Sequence, residues 1–297
     1  MILIFDVKYY IGYPYPNSVS IILARYSEIG LKSTPVRIRF ENRLRDNIMS
    51  MLAADRIEAL VTKKDSRFYV EAEDMEAALL SVKKVFGIAS LSIAEVCSSE
   101  MDDICSTAAR YSLSRLKEND SFAVKARREG NQKYTSIDVG REAGSAIFLA
   151  NESKGVKVNL TDPEVVFFVE VRNNKAFVFD SSVKCHAGLP IGTQGKVIAE
   201  VNNDRDLLSA WLMMKRGCKV IIKGDRQPLL EKYDPEMKYG DAISSEILGI
   251  VKGISLSELK DQDVSEYDVP LYFPTIGMSD EEVSVMLESI KEEAFRP

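Results

Sequence analysis

The chain has 297 residues, of which 45% are hydrophobic, enough to bury the cores of two or three domains. Its apolar runs are too short to cross a membrane, and Asp6 and Lys8 fall too early for a signal peptide, so we expect a cytoplasmic protein with no membrane partner. The net charge of −6 is uneven, because residues 224–297 hold 17 acidic and 7 basic side chains. An electropositive surface is therefore expected upstream of residue 224.

Residues 1–18 are aromatic and contain two prolines, which suits an extended arm or an added strand, and equally an unusual translation start. After them, an apolar strand over 21–26 precedes a helix, short strands near 60–62 and 68–71, and a second helix over 75–85. The first helix is indicated by helical spacing of Phe40, Leu44, Ile48 and Met51. These elements predict a ferredoxin-like split βαβ unit, and we place that domain at residues 19–73.

A second α/β domain is placed at residues 74–183. A helix is predicted over 102–116, followed by a strand over 122–128 in which apolar residues alternate with basic ones. The basic side chains of this region are Lys125, Arg127 and, less regularly, Arg128 on the strand, Lys133 in the next turn, and Arg141 on the next helix.

Residues 122–141 contain five basic and two acidic side chains, a local net charge of +3 in an acidic chain. This pattern suits nucleic acid, because Lys and Arg neutralise backbone phosphates and Tyr134 can stack on an unpaired base. Spacing alone favours the alternative, in which the cations form an ordinary solvated strand face.

FAVKARREGNQKYTSIDVGREAGSAI (residues 122–147) and VNLTDPEVVFFVEVRNNKAFVF (residues 158–179) closely resemble the THUMP domain, an RNA-binding module of thiouridine synthases, RNA methylases and pseudouridine synthases. In that family the module recognises the 3′ end of tRNA, so the resemblance implies that the basic residues of this strand, turn and helix contact tRNA. Within the second segment, Asn173 and Asn174 suit the positive φ angles of a tight hairpin turn.

LARYSEIGLK (residues 23–32), with FENRLRDNI (residues 40–48) after it, resembles the N-terminal ferredoxin-like domain of the tRNA 4-thiouridine synthetases. In that family the domain helps to hold tRNA, which makes Arg25 and Lys32 candidates for phosphate contact. An ion pair between Arg25 and Glu28 is an equally good interpretation.

A glycine-rich linker is placed at residues 184–196. It contains His186, the only histidine of the chain, beside Cys185. We expect His186 to lie at the surface of a flexible segment, and since no other histidine is available, we do not expect Ser-His-Asp chemistry.

The next stretch predicts a buried strand over 197–201 that leads directly into an amphipathic helix over 207–215. At such a junction a glycine-rich turn presents backbone N–H groups and a helix N-terminus to phosphate. Carboxylates at a helix start disfavour an anion there, so Asp204 and Asp206 are expected to act as helix caps. The whole turn, which holds no glycine, consists of Asn202, Asn203, Asp204, Arg205 and Asp206.

HAGLPIGTQGKV (residues 186–197) and AWLMMKRGC (residues 210–218) strongly resemble tRNA 4-thiouridine synthetases, sulfurtransferases also linked to thiamine biosynthesis. In that family a Ser-Gly-Gly-x-Asp-Ser loop joins the two segments, and residues 201–206 match almost none of it. The resemblance implies a reduced Rossmann-like PP-loop ATP-pyrophosphatase domain at residues 197–297 with a degenerate nucleotide loop. The resemblance continues in residues 239–251 and 271–283. The part of the chain after Gly217 is shorter than the corresponding part of the family.

The four cysteines, Cys97, Cys105, Cys185 and Cys218, form no CxxC pair, so we expect reduced structural thiols and no metal site. The family's sulfur-carrying cysteine lies late in its chain, and no cysteine follows Cys218 here. Cys218 itself is expected to lie in the core.

The leading hypothesis is therefore a mixed α+β and α/β protein that binds tRNA for thiolation without cofactors or catalytic residues of its own. It would present tRNA to a separate catalytic or sulfur-donor protein. A first alternative is an active sulfurtransferase that still binds ATP and Mg²⁺ through its altered loop. A second treats the acidic C-terminal unit as a protein-interaction surface, for example of a homodimer.

Overall fold

The computed structural model describes residues 19–262 and 267–295, so the prediction for residues 1–18 lies outside the described part. The described residues form two compact units, one containing residues 93–181 and the other residues 22–92 and 182–295. The elements in chain order are β1 (Val19–Tyr26), α1 (Thr34–Ala54), β2 (Ala59–Lys64), β3 (Arg67–Ala72), α2 (Met75–Lys83), β4 (Ile88–Ser98), α3 (Met101–Ser112), β5 (Ser121–Glu129), α4 (Ser136–Ala150), β6 (Lys157–Val158), β7 (Val165–Arg172), β8 (Lys175–Phe179), β9 (Val183–Lys184), β10 (Lys196–Glu200), α5 (Asp204–Lys215), β11 (Lys219–Lys223), α6 (Pro228–Glu231), β12 (Lys238–Tyr239), β13 (Ile247–Val251), β14 (Leu271–Tyr272) and α7 (Asp280–Phe295).

The first six elements follow the β-α-β-β-α-β order of a ferredoxin-like fold, which confirms the predicted fold of this region. β3 pairs antiparallel with both β1 and β2, and Ile22 of β1 lies opposite Val70 of β3. α1 buries the predicted stripe of Phe40, Leu44, Ile48 and Met51, because these residues recur on one face of the helix.

The unit of residues 93–181 contains strands in the order β4-β8-β7-β5-β6, with β5 parallel to β7 and β7 antiparallel to β8. Its core includes Ile104 from α3, Val139 from α4 and Phe167 from β7. In the turn between β7 and β8, Asn173 has the expected left-handed conformation at φ 50°. Asn174 does not have a positive φ angle, so that part of the prediction is wrong.

The last part of the chain forms a parallel five-stranded sheet in the order β12-β11-β10-β13-β14, which confirms the Rossmann-like α/β architecture. Its core includes Leu208 and Trp211 from α5, Val220 from β11 and Leu287 from α7. This sheet therefore packs against hydrophobic residues of α5 and α7.

The expectation that His186 lies at the surface is wrong. Its side chain is 11% exposed and its Nε2 atom lies 3.4 Å from Glu293. The imidazole packs against the rings of Trp211, Tyr233 and Phe86, at centroid distances of 5.1, 5.3 and 5.8 Å. These partners come from distant parts of the sequence, so no local pattern around His186 indicates its burial.

Candidate nucleic-acid interface and the strand-to-helix turn

Strand β5 separates apolar from basic side chains as its alternation predicts. Phe122 and Ala126 lie on the face that contributes to the core, while Lys125 and Arg127 are exposed on the other face. Within the part of the chain that the structure describes, neither side chain makes a hydrogen bond or an ion pair. Both cations are therefore available to an anionic partner.

Arg128 is also exposed, but unlike Lys125 and Arg127 its side chain is hydrogen-bonded within the protein. Its guanidinium donates to the carbonyl of Gly130 at 2.8 Å, to the carbonyl of Gln132 at 3.3 Å and to the side-chain oxygen of Gln132 at 3.2 Å. The Gln132 amide in turn donates to the carbonyl of Asn173. Arg128 thus holds the turn after β5, and this turn is fixed to the β7–β8 hairpin.

Tyr134 is half-buried and packs against the core of its unit. Its hydroxyl donates to the backbone carbonyl of Ser99, and burial raises its pKa. The residue as a whole is still partly exposed to solvent. Lys133, the preceding residue, is exposed, and its side chain makes no hydrogen bond or ion pair with a described residue.

The start of α4 is fixed by a capping box, in which Thr135 accepts from the N–H of Asp138 and the Asp138 carboxylate accepts from the N–H of Thr135. The pKa of Asp138 is lowered chiefly by this backbone hydrogen bond. Arg141 lies 3.4 Å from Asp138 and 3.0 Å from Glu142, so two carboxylates already neutralise part of its charge. Ile137, which sequence reasoning missed, is 79% exposed beside these residues.

Two predicted contacts, Arg25 and Lys32, belong to the other unit. Arg25 is half-buried in β1 and donates to the hydroxyl of Ser92 at 3.0 Å. Lys32 is exposed directly after a short 3₁₀ turn over Glu28–Leu31. The structure thus groups the β5–α4 residues in one unit and these two residues in the other.

Two backbone N–H groups of the turn between β10 and α5 are bonded to side chains of the same turn. α5 begins three residues earlier than predicted, because the Asn203 side chain caps it by accepting from the N–H of Asp206 at 2.9 Å. The Asp206 carboxylate accepts from the N–H groups of Asn202 at 3.1 Å and Gly253 at 2.8 Å. Asn203, rather than Asp204 or Asp206, is therefore the helix cap.

The backbone of Gly253 lies directly against this helix start. A Cβ atom at residue 253 would lie 2.3 Å from the carbonyl carbon of Arg205, closer than real side chains approach. Arg205 is buried and donates to the carbonyls of Thr275 and Met278, both at 2.9 Å, and to Asp280 at 2.6 Å. Arg205, which could otherwise face a phosphate, thus bonds the turn to the segment before α7.

Burial raises the pKa of the Cys97 thiol to about 11 and that of Cys185 to about 12, and it also raises the pKa of Cys218. Cys218 lies in the core, as expected. Residues 19–262 and 267–295 contain no group of three or more His, Cys, Asp or Glu side chains placed to hold a metal ion. Across the same residues, no helix is long and apolar enough to cross a membrane.

Two family models match the chain: the ThiI ferredoxin-like domain at residues 21–92 and the THUMP domain at residues 98–179. A probable tRNA sulfurtransferase of Methanosarcina mazei is 38% identical over 228 residues, which cover 75% of this chain and 56% of the relative. One of Methanocaldococcus jannaschii is 36% identical over 210 residues, or 68% and 54% of the two chains. The chain thus spans about half the length of the curated relatives it matches.

Among solved structures, PH1313 from Pyrococcus horikoshii Ot3 is similar with a TM-score of 0.78 and 25% identity, over 92% of this chain and 99% of that one. A 4-thiouridine synthetase in complex with RNA and bound ATP has a TM-score of 0.75 and 19% identity, over 94% and 87% of the two chains. At that identity the second likeness concerns the fold alone.

Proposed function

Given that the chain belongs to the THUMP-containing tRNA sulfurtransferase family, we propose that it binds tRNA in the cytoplasm and serves tRNA thiolation without autonomous ATP-dependent catalysis. One observation carries the first part of this proposal. Lys125, Arg127 and Lys133 are exposed within the matched THUMP region, and none of them has a side-chain partner among the described residues. Cations in this state can release counterions from a phosphate backbone.

The surrounding contacts give these cations a fixed frame. Arg128 and Gln132 hold the turn that carries Lys133, and the capping box fixes the start of α4. Lys125, Arg127 and Lys133 would therefore contact phosphates directly, while Arg128 positions the turn. Arg141 would contribute less, since it must leave two carboxylates to bind phosphate.

Arg25 and Lys32 would extend the tRNA contact to the ferredoxin-like region. Lys32 is exposed, whereas Arg25 keeps its hydrogen bond to Ser92. Tyr134 would stack on an unpaired base while its hydroxyl stays bonded to Ser99.

The turn over residues 202–206 supports the second part of the proposal. A phosphate at a helix N-terminus needs free backbone N–H groups and room to approach. Here the N–H of Asp206 is bonded to Asn203, and the Asp206 carboxylate and the Gly253 backbone lie at the same helix start. A separate protein would then supply activation and sulfur.

The test is tRNA binding across a salt series, with and without ATP and Mg²⁺, together with analysis of released nucleotide. We expect the logarithm of the binding constant to fall steeply with the logarithm of salt concentration, by about 0.7 to 0.9 per phosphate contact, and no effect of ATP. Binding that does not depend on salt would overturn the tRNA assignment. AMP release would overturn the claim that catalysis is absent, and restore an active sulfurtransferase.

A further inference from the structure

A cavity of 410 Å³ lies at the amino-terminal edge of the parallel sheet. Lys196, Lys219 and Ile247, the first residues of β10, β11 and β13, all line it, and α1 contributes Arg43 and Asn47. The strand-to-helix turn discussed above follows the carboxyl end of β10. The cavity is therefore a separate feature at the other edge of the sheet.

The buried part of the cavity wall is apolar and partly aromatic. Its side chains are each at most 8% exposed: Met51, Val85, Phe86, Ile191, Tyr233 and Ile247. A ligand body placed against this wall would remove apolar surface from water. The volume also falls within the range of small-molecule sites, about 300 to 1,000 Å³.

Three carboxylates line the same cavity, and each already has a partner. Asp234, which is buried, pairs with Lys219 at 2.8 Å. Glu246 pairs with Lys196, and this hydrogen bond is the main reason that the pKa of Glu246 is lowered. The third carboxylate belongs to Glu236, which accepts from the hydroxyl of Ser50 at 2.9 Å. Because the Ser50 hydroxyl is neutral, Glu236 is the one lining carboxylate that has no cationic partner among the described residues.

Two lining cations are left without a close partner. Among the residues that the structure describes, the side chains of Arg43 and Lys238 make no hydrogen bond and no ion pair within 4 Å. Lys238 acts only at longer range on Glu246. The cavity thus holds four cationic side chains against three carboxylates, so its unsatisfied charge is positive.

We propose that this cavity binds a small amphipathic organic anion, with an apolar or aromatic body against the buried wall and one phosphate or carboxylate group at Arg43 and Lys238. An organic cation would meet one carboxylate without a cationic partner, Glu236, but two cations without a partner, Arg43 and Lys238. Inorganic phosphate would leave the apolar wall exposed to water. The inference does not rest on tRNA binding, which is proposed for residues that do not line the cavity and can fail or hold separately.

The probe is phenyl phosphate, titrated into the full chain and followed by calorimetry. We expect saturable binding with a Kd below about 1 mM, and at least about tenfold weaker binding of inorganic phosphate, benzyl alcohol and 2-phenylethylamine. Absence of saturable binding, or equal binding of inorganic phosphate or 2-phenylethylamine, would overturn the proposal.

Variants locate the site. Arg43→Gln and Lys238→Gln should each raise the Kd for phenyl phosphate about threefold or more, since each removes one partly exposed charge contact. Lys64→Gln is the matched control, because Lys64 is exposed on β2 and does not line the cavity. Ala242→Trp, at an exposed lining position, should fill the cavity and abolish binding while the melting temperature is retained. Unchanged affinity in these three cavity variants would place phenyl phosphate elsewhere and refute the assignment.

Discussion

Arg128 donates to both the backbone and the side-chain oxygen of Gln132, at 3.3 and 3.2 Å, and so closes the turn after β5. Its neighbour Arg127 makes no such contact with a described residue, although both side chains are exposed. Two adjacent arginines therefore have different roles, and substitutions can separate them.

Arg127→Glu should weaken tRNA binding and lower the salt slope by about one unit, because it replaces the proposed phosphate contact with a repulsive charge. Lys125→Glu should act in the same direction. The measurement is the tRNA binding constant at several salt concentrations. Lys117→Glu, in the exposed loop before β5, is the control and should leave the slope unchanged. Equal losses in all three variants would indicate a nonspecific charge effect.

Arg128→Ala should lower the free energy of unfolding by about 1 kcal/mol, since it removes the hydrogen bonds that close the turn. Arg127→Ala should change this free energy by less than about 0.5 kcal/mol. Urea unfolding of the two variants gives the comparison. If Arg127→Ala proved the more destabilising, the roles assigned to the two arginines would have to be exchanged.

Asp206→Ala should destabilise the chain by about 1 to 2 kcal/mol, because the N–H groups of Asn202 and Gly253 lose their acceptor. Asp204→Ala is the matched control. Its carboxylate is exposed and lies 3.6 Å from Lys291, so the change should stay within about 0.5 kcal/mol. Thermal or urea unfolding distinguishes them, and equal effects would count against a bonding role for Asp206.

His186 should make stability depend on pH. Burial lowers its pKa below the usual 6.5, and Lys215 and Lys83 add to this, while Glu293 opposes it. Below pH 6.5 the unfolded chain binds the proton more readily, so stability is complete above that value and decreases as pH falls toward the folded pKa. His186→Gln should reduce the difference in unfolding free energy between about pH 7.5 and about pH 5.5. An unchanged difference would mean that other groups cause it.

The thiols should react in a definite order with a disulfide reagent such as DTNB. Cys105 is half-buried, whereas Cys97, Cys185 and Cys218 are buried, and the thiolate is the reactive form. We expect Cys105 to react first in the native protein and the others only upon unfolding. Mass spectrometry of partly labelled protein identifies the first site, and early labelling of Cys185 would contradict the order.

The sequence predicted what depends on local periodicity. The alternation around Lys125 and the stripe from Phe40 to Met51 were sufficient to assign a strand and a helix. The hydrogen bonds from Arg128 to Gln132 were not predictable, because they depend on how the chain turns back after β5. Likewise Arg205 meets Asp280 across 75 positions, and His186 is buried by rings from three separate segments. A local sequence pattern cannot predict contacts between residues so far apart in the chain.

The close approach of Gly253 to the start of α5 also limits how this region can change. Introducing glycines at residues 202–206 would loosen the turn but leave the backbone of residue 253 in place. We therefore expect that forming a phosphate site at this helix start would require coordinated changes in two segments about fifty residues apart. Single substitutions of Asn203, Arg205 or Asp206 would lose stability without gaining a ligand, because each removes a hydrogen bond that holds the turn.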